Sequence, residues 1–365
     1  MLETMAQPRN QALHRTKLST ALAGIRGASL LPRFVTKMPG VSHEGRLPPL
    51  TPLQGELAQQ LEQIVRELAG PLAGRNQFRP HVLSRSEEFL TAQLEHTGLR
   101  IRRQEYTSHG ERVANLEVEL PGATKRDEIV IIGAHYDAVE LKPHFGLCPA
   151  ANDNGSGVAC VIALAHRAAA RANAGKPPQR TLRFTLWANE EPPFFWTEQM
   201  GSLVHARSCR AKNENIVAML TPETLGCYLH AEGTQRYPLQ PLFEPFYPTK
   251  GNFIAFMGMT EAADLIRRSV ATFRERAAFA SIGAGLPAII PHVGASDHWS
   301  FWRVGYPALM ITDTAPYRYN FYHTTDDVPE NMNFPDFARV TDGLDHVVAK
   351  LAESQTSGGK EQPLC

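Results

Sequence analysis

Five separate segments of this chain put a histidine or a carboxylate just beyond an apolar run or in a glycine-rich turn. His135 follows EIVIIGA, with Asp137 two residues on. Asp153 lies in AANDNGSG, residues 150–157, which opens a stretch of small residues. Glu190 and Glu191 follow TLRFTLWAN. Glu223 follows NIVAML, and His323 lies in NFYHTTDD after a late apolar run. In open α/β sheets ligands bind beyond the carboxyl ends of the strands, so five such placements point to one shared site. Two imidazoles and three carboxylates, with no thiolate, suit zinc or another borderline divalent ion. One open zinc site takes about three protein ligands and a water, which five side chains exceed. They suit two ions roughly 3.5–4 Å apart, with one carboxylate shared between them. Glu190 is then left beside the ions, where a general base for an attacking water belongs.

Each of these residues has a plainer use. His135 alone could be a hydrogen-bonded histidine at a strand end, but His-x-Asp spacing there favours a metal ligand. Asp153 could cap the helix that follows, and a helix start tolerates a carboxylate well enough for both roles. Glu190 and Glu191 could be a solvated pair. Pro192, Pro193, Phe194, Phe195 and Trp196 follow at once, however, and make a poor surface. Asp326 and Asp327 could simply cap the segment after the HTTDD turn. Phe194, Phe195, Trp196 and Trp299 could line a side-chain pocket or equally well fill the core.

Bringing five segments to one edge requires particular elements. Leu53, Leu57, Leu61, Ile64, Val65 and Leu68 recur at helical spacing until Gly70 and Pro71 stop them. A second helix is predicted over 84–97, capped by Ser84 with Glu87 three residues on and ended by Gly98. Residues 99–106 and 112–120 read as strands. Residues 128–134, 181–188 and 215–220 are apolar runs of strand length, the pattern of strands buried on both faces. Residues 155–170 and 260–279 read as helices, 306–311 as a strand and 337–351 as a closing helix. The alternation predicts an α/β fold, a three-layer α/β/α sandwich around a mixed, mainly parallel central sheet.

The composition fits a folded globular chain, with 43% hydrophobic and 20% charged residues, so wholesale disorder is excluded. Lys plus Arg and Asp plus Glu both number 37, so the basic excess of a phosphate-neutralising nucleic-acid binder is missing. No run of about twenty apolar residues occurs, and no membrane span is expected. Cys148, Cys160, Cys209, Cys227 and Cys365 are scattered, odd in number and without Cys-x-x-Cys spacing. That pattern excludes a zinc ribbon and leans toward a reducing compartment such as the cytoplasm. Residues 1–50 hold seven Lys or Arg against two Glu and are punctuated by Pro32, Pro39, Pro48 and Pro49. They read as a flexible basic extension. Residues 18–25 are a candidate apolar middle for a signal peptide, but Arg26 interrupts them. The folded domain is placed at 51–352, with a polar tail over 353–365. Other chemistries find no motif: there is no HExxH, no GxSxG and no P-loop.

Taken together, six motifs resemble the co-catalytic zinc exopeptidases, the family of bacterial leucyl aminopeptidases and glutamate carboxypeptidase. Glutaminyl cyclases are its single-zinc relatives. The motifs are GAHYDAV (133–139), AANDNGSGVA (150–159), WANEE (187–191), Gln199-Met200-Gly201-Ser202, GASDHWSF (294–301) and YHTTDD (322–327). They follow the family's order over 125–330, and the helices between 53 and 97 fit its usual prelude. The resemblance implies two Zn2+ per chain, other divalent ions being possible. His135, Asp153 and Glu223 would hold the first ion, with Asp153 bridging, and Glu191 and His323 would complete the second. It implies Glu190 as the catalytic base. It implies Asp137 as the carboxylate that holds His135 from behind and raises its basicity. Tyr322 would donate to the developing oxyanion. Asp297 and His298 match an acidic loop lining the pocket, and no role follows for them. Two features depart from the pattern. Glu223 stands where Asp is common, which moves the carboxylate by a methylene where the substrate amine is expected to bind. Residues 140–149 (ELKPHFGLCP) separate the first two ligand motifs, and their His144 and Cys148 read as part of a rim loop rather than a third metal site.

The function so implied is a zinc-dependent aminopeptidase that hydrolyses the N-terminal bond of a peptide substrate, with Glu190 moving the proton of the attacking water. Competing readings are a carboxypeptidase, an amidase or a glutaminyl cyclase on the same site, a non-catalytic peptidase-like binding domain, and a structural-metal protein. The full ligand set argues against a binding domain, and the idle Glu190 against a structural metal. The presence of both His135 and Glu223 argues against a single-metal cyclase.

Overall fold

The structure is a computed structural model that describes residues 37–353. Most of the basic extension, including the candidate leader at 18–25, and the tail from 354 lie outside the described residues. Helix α1 (Pro52–Ala69) starts where Thr51 and Gln54 form a reciprocal cap: Thr51 Oγ1 accepts from Gln54 N, and Gln54 Oε1 accepts from Thr51 N. Pro52 sits in the first turn, where its missing N–H costs nothing. Leu57, Leu61, Ile64, Val65 and Leu68 are buried, as their spacing predicts, whereas Leu53, in the first turn, is 68% exposed and no part of the stripe.

Helix α2 (Pro80–Glu95) begins at Pro80 and not after Ser84. Proline presets φ for a first turn, and Leu83 carries the buried stripe back to meet it. Ser84 is therefore interior. Glu87 does not cap; its carboxylate accepts from Arg103 Nη2 (2.5 Å) and from Tyr136 Oη (3.1 Å).

The sheet has eight strands: β1 (Ile101–Ser108), β2 (Glu111–Leu120), β3 (Lys125–His135), β4 (Arg180–Trp187), β5 (Asn215–Glu223), β6 (Ile254–Met259), β7 (Ser281–Leu286) and β8 (Ala308–Thr312). Their order is β1-β2-β4-β3-β5-β8-β6-β7. β3 pairs in parallel with β4 and β5, and β5 with β8, so four adjacent strands share one direction. The β1–β2, β2–β4 and β6–β8 pairs are antiparallel. Strands β6 and β7 are unannounced in the sequence. Gly258, Gly283 and Gly285 weaken their strand signal, and pairing with β8 and with each other supplies what propensity lacks.

Helices cover both faces, because β3 is apolar on both. Val130, Ile132 and Ala134 join the core formed with α1, α3 (Gly157–Asn173), α5 (Ala263–Arg276) and α7 (Phe334–Ala352). Ile129 and Ile131 point the other way, to Trp187, Ala206 and Cys209 of α4 (Gly201–Ala211), and Phe301 of α6 (His298–Arg303). Burying each such aliphatic side chain contributes roughly 1.5–3 kcal/mol. Gly133 allows the β3–β4 approach: a Cβ there would stand 2.2 Å from the Trp187 ring. Ahead of α1, Arg274 donates to the carbonyls of Met38, Pro39 and Gly40, and Ser42 Oγ accepts from Ser281 N of β7. No helix among the described residues is long and apolar enough to cross a membrane.

Candidate metal centre

The parallel strands β4, β3, β5 and β8 end along one edge of the sheet. His135 is the last residue of β3 and Glu223 the last of β5. Glu190 and Glu191 follow β4, Asp153 lies in the turn before α3, and His323 comes after β8. The edge brings all six together. His135 Nε2 is 3.4 Å from Asp153 Oδ1, 3.3 Å from Glu223 Oε2 and 3.9 Å from Glu190 Oε2. His323 Nε2 is 3.0 Å from Asp153 Oδ2 and 3.3 Å from Glu191 Oε1. Asp153 therefore faces one histidine with each of its oxygens. Three candidate ligand triads result, the atoms of each within 4.8 Å of one another: His135–Asp153–Glu223 and Asp153–Glu191–His323, which share Asp153, and His135–Glu190–Glu191.

These residues fit a divalent cation. Glu191 Oε1 and His323 Nε2 are buried without a hydrogen-bond partner although they stand 3.3 Å apart. Lone pairs that converge without bonding need a cation between them, and imidazole with carboxylate is a zinc-type set.

The loops that carry the cluster are tied from behind. Asp137 lies 3.5 Å from His135 Nδ1, and its two oxygens accept from Glu190 N (3.0 Å) and Glu191 N (3.1 Å). One carboxylate so stands behind a ligand imidazole and joins the exits of β3 and β4. Asp327 accepts from Asn152 N and Asp153 N, which fixes the turn before α3. Asn154 Nδ2 (3.1 Å) and Ser296 Oγ (2.7 Å) both donate to Glu223 Oε2. Asn152, Asn154, Ser296 and the holding role of Asp327 are absent from the sequence reading. The two asparagines flanking Asp153 were the available signal, since a short amide beside a ligand commonly pins its loop.

Tyr322 stacks on His323 with ring centroids 3.9 Å apart. Burial and the surrounding carboxylates hold its phenol well above the usual range, so it stays a protonated donor. Asp297 and His298 are wholly buried and stand behind the cavity wall, to which their loop contributes Ala295. His144 is exposed and Cys148 buried, and neither enters a ligand triad among the described residues.

The cavity beside the cluster measures about 280 Å³. Met257, Ile282 and Ala284 of β6 and β7 line it together with Tyr237, Phe243 and Tyr247. Tyr247 packs at a tilt against Tyr237 (5.6 Å) and Phe243 (6.3 Å), and its hydroxyl donates to Gly283 O of β7. Among the described residues, no Lys or Arg lines the cavity. Of the four aromatics singled out in the sequence, only Phe195 reaches it. Phe194 is buried against Phe78, and Trp196 is 55% exposed beside Trp299.

Crowding these groups shifts their protonation. Burial pushes the Glu223 carboxyl up to about 8 and that of Asp297 to about 7, and it carries Glu190 well above the usual range. Burial opposes protonation of His323, but Glu191 and Asp153 outweigh it and raise the ring to about 11. Burial would also raise Asp153, yet its close contacts with His135 and His323 hold it below its usual range. Groups with raised values bind protons more tightly folded than unfolded, so their stabilisation is lost as pH rises. Asp153 acts oppositely, but only below about pH 4. The metal-free chain is therefore expected to lose stability from about pH 4.5 to pH 8, and zinc is expected to restore it. Thermal melts with chelator and with zinc at about pH 5, 6.5 and 8 check this; a metal-free midpoint that climbs from pH 5 to pH 8 contradicts it.

Comparison with known proteins agrees with this geometry. Residues 115–348 match peptidase family M28. The chain is 32% identical over 317 residues to the uncharacterized protein YfbL of Escherichia coli K12, covering 86% of this chain and 93% of that one. It is 30% identical over 223 residues to a probable leucine aminopeptidase of Arthroderma benhamiae, 59% of this chain and 50% of the relative. Among solved structures, BSAP, a zinc aminopeptidase from Bacillus subtilis, superposes with a TM-score of 0.60 at 12% identity, over 86% of this chain and 98% of that one. Fimbriiglobus ruber glutaminyl cyclase gives 0.57 at 18%, over 84% and 97%. At these identities the two structures speak for the fold alone.

Proposed function

Because the chain belongs to peptidase family M28, a metallopeptidase family, we propose that its cluster holds two zinc ions and that it is an aminopeptidase releasing the first residue of a peptide. The observation that carries this reading is Asp153, whose two oxygens each face a different histidine, each with its own further carboxylate. That is the arrangement for a carboxylate shared by two ions.

His135, Asp153 and Glu223 would hold one ion, and Asp153, Glu191 and His323 the other. When bound, the pair supplies Lewis acidity that acidifies water and polarises the scissile carbonyl. Glu190, left outside both triads of this assignment, takes the proton of the attacking water and returns it to the leaving amine. Tyr322 donates its hydroxyl to the oxygen that gains charge at the scissile carbon. Asp137 keeps His135 in the tautomer that offers Nε2, and keeps Glu190 and Glu191 in place through their backbone N–H groups.

The cavity wall supports an amino rather than a carboxy exopeptidase. A C-terminal carboxylate would find no Lys or Arg among the described lining residues, whereas an α-ammonium meets Asp153, Glu191 and Glu223. The same wall favours a large apolar first side chain against Met257, Ile282, Ala284 and the Tyr237–Phe243–Tyr247 group. A cavity near 150 Å³ already takes a benzene ring, so this one leaves room for phenylalanine or leucine with its amide.

Leu- and Phe-p-nitroanilide are expected to be cleaved with kcat/KM about 100-fold above the Lys and Glu analogues, which must bury a charge without a partner. The chelated enzyme should be silent, and N-acetylation of the substrate should abolish turnover. Equal cleavage of N-acetyl-Leu-anilide refutes the aminopeptidase reading in favour of an amidase. Cyclisation of N-terminal glutamine without hydrolysis refutes it in favour of a cyclase.

A further inference from the structure

Residues 75–77, in the turn between α1 and α2, belong to no part of the cluster, yet all three are buried. Arg75 is 0% exposed. Its guanidinium donates to backbone carbonyls: Nε to Tyr136 (2.7 Å), Nη1 to Leu68 (2.8 Å) and Pro149 (2.9 Å), and Nη2 to Ala150 (2.8 Å). Tyr136 stands between His135 and Asp137. Pro149 and Ala150 lead into the turn that carries Asp153. One planar cation thus ties two loops of the cluster to the end of α1, and its own carbonyl accepts from Ala138 N (2.9 Å).

The next two side chains continue the pattern. Asn76 Nδ2 donates to Ala138 O (3.2 Å) and Glu140 Oε2 (2.8 Å), and Glu140 is ion-paired with Arg79. Gln77 Oε1 accepts from Asn189 Nδ2 (2.8 Å), while its Nε2 donates to Ser108 O (2.8 Å). Asn189 immediately precedes Glu190. Ala150 (φ 55) and Asn189 (φ 58) both hold left-handed backbone, which residues with a Cβ adopt only when their surroundings impose it. Each is held by one side chain of this turn. A buried guanidinium is costly to desolvate, and an apolar side chain would fill a turn that needed only packing.

We propose that Arg75, Asn76 and Gln77 form a brace that presets the metal centre. Arg75 and Asn76 fix the loops of His135 and Asp153, and Gln77 fixes the loop of Glu190. All three are positioning residues, and the proposal rests on the cluster being a zinc site.

The test is zinc affinity, measured by competition with a chromophoric chelator, beside the metal-free melting temperature and the kinetics on Leu-p-nitroanilide. Arg75→Met is expected to weaken zinc binding about 10–100-fold, the range for groups that hold metal ligands from behind. Arg75→Lys keeps the charge but loses the fork that reaches several carbonyls, so it should weaken binding in the same direction. Gln77→Leu should leave zinc affinity within about threefold and lower kcat about tenfold at unchanged KM, because its partner Asn189 adjoins Glu190 and is itself no metal ligand. A merely structural turn would lower the melting temperature and move neither quantity. Unchanged zinc affinity in a folded Arg75 variant overturns the proposal. If neither Arg75 variant folds, unchanged kcat in Gln77→Leu overturns it. A parent chain that binds no zinc overturns the metal reading and the brace together, whereas zinc bound equally by the parent and the Arg75 variants overturns the brace alone.

Discussion

Glutamine in place of Glu190 is expected to lower kcat about 10³-fold, within the 10²–10⁴ range of general base catalysis, and to leave zinc content and KM nearly unchanged. The substitution keeps shape and removes the proton acceptor. Glu190 lies at 3.9 Å from His135 Nε2, further than Asp153 or Glu223, so its carboxylate is the one in that group least engaged with the imidazole. Its backbone is fixed independently of its side chain by Asp137. Burial pushes its carboxyl well above the usual range, which suits a group that must take and return a proton near neutrality. The acid limb of the pH–rate profile should disappear with the carboxyl. Turnover within tenfold of the parent, with both ions bound, would falsify the base assignment.

Loss of Asp153 should be more severe, because this carboxylate belongs to both of the triads assigned to the ions. In Asp153→Ala, zinc retained after dialysis is expected to fall from two equivalents to one or none, and kcat/KM by at least about 10⁴-fold. In the two-ion assignment Glu191→Ala and His323→Ala each touch only the second ion's triad and should spare the first equivalent. Stability gives a readout free of activity. Zinc at about 1,000 times its dissociation constant stabilises the folded parent by about 4 kcal/mol, so the parent's melting temperature should rise on zinc addition. That response should be lost in Asp153→Ala. Two tightly held equivalents in the Asp153 variant would mean that the ions do not share this carboxylate.

Much of this was legible in the sequence because a parallel sheet writes itself plainly. Residues 129–134 are an unbroken apolar run and 181–188 and 215–220 are mainly apolar, and polar side chains straight after such runs fall at the strand ends. The readable part stops where local pattern and tertiary pairing disagree. Ser84 and Glu87 have capping-box spacing, but Pro80 starts the helix earlier. Residues 281–286 (SIGAGL) have little strand propensity and become β7 only through β6. The cavity wall follows from that pairing, since Ile282 and Ala284 reach it from β7 while Tyr237 and Tyr247 reach it from a separate segment. Arg75 left no trace at all, because its partners are carbonyls, which every residue carries.

The amino-acid order alone specified which chemical groups are available and on which edge of the sheet they emerge, because burial periodicity fixes direction along a strand and turn residues fix where it stops. It could not specify that Asp153 would lie between two imidazoles, that Asp137 would hold two backbones at once, or that the cavity would have no Lys or Arg among its described lining. Those are distances of 3–4 Å between segments far apart in the chain. Coordination is a condition on distance, and only the closed register of β4, β3, β5 and β8, braced from behind, sets distances of that kind.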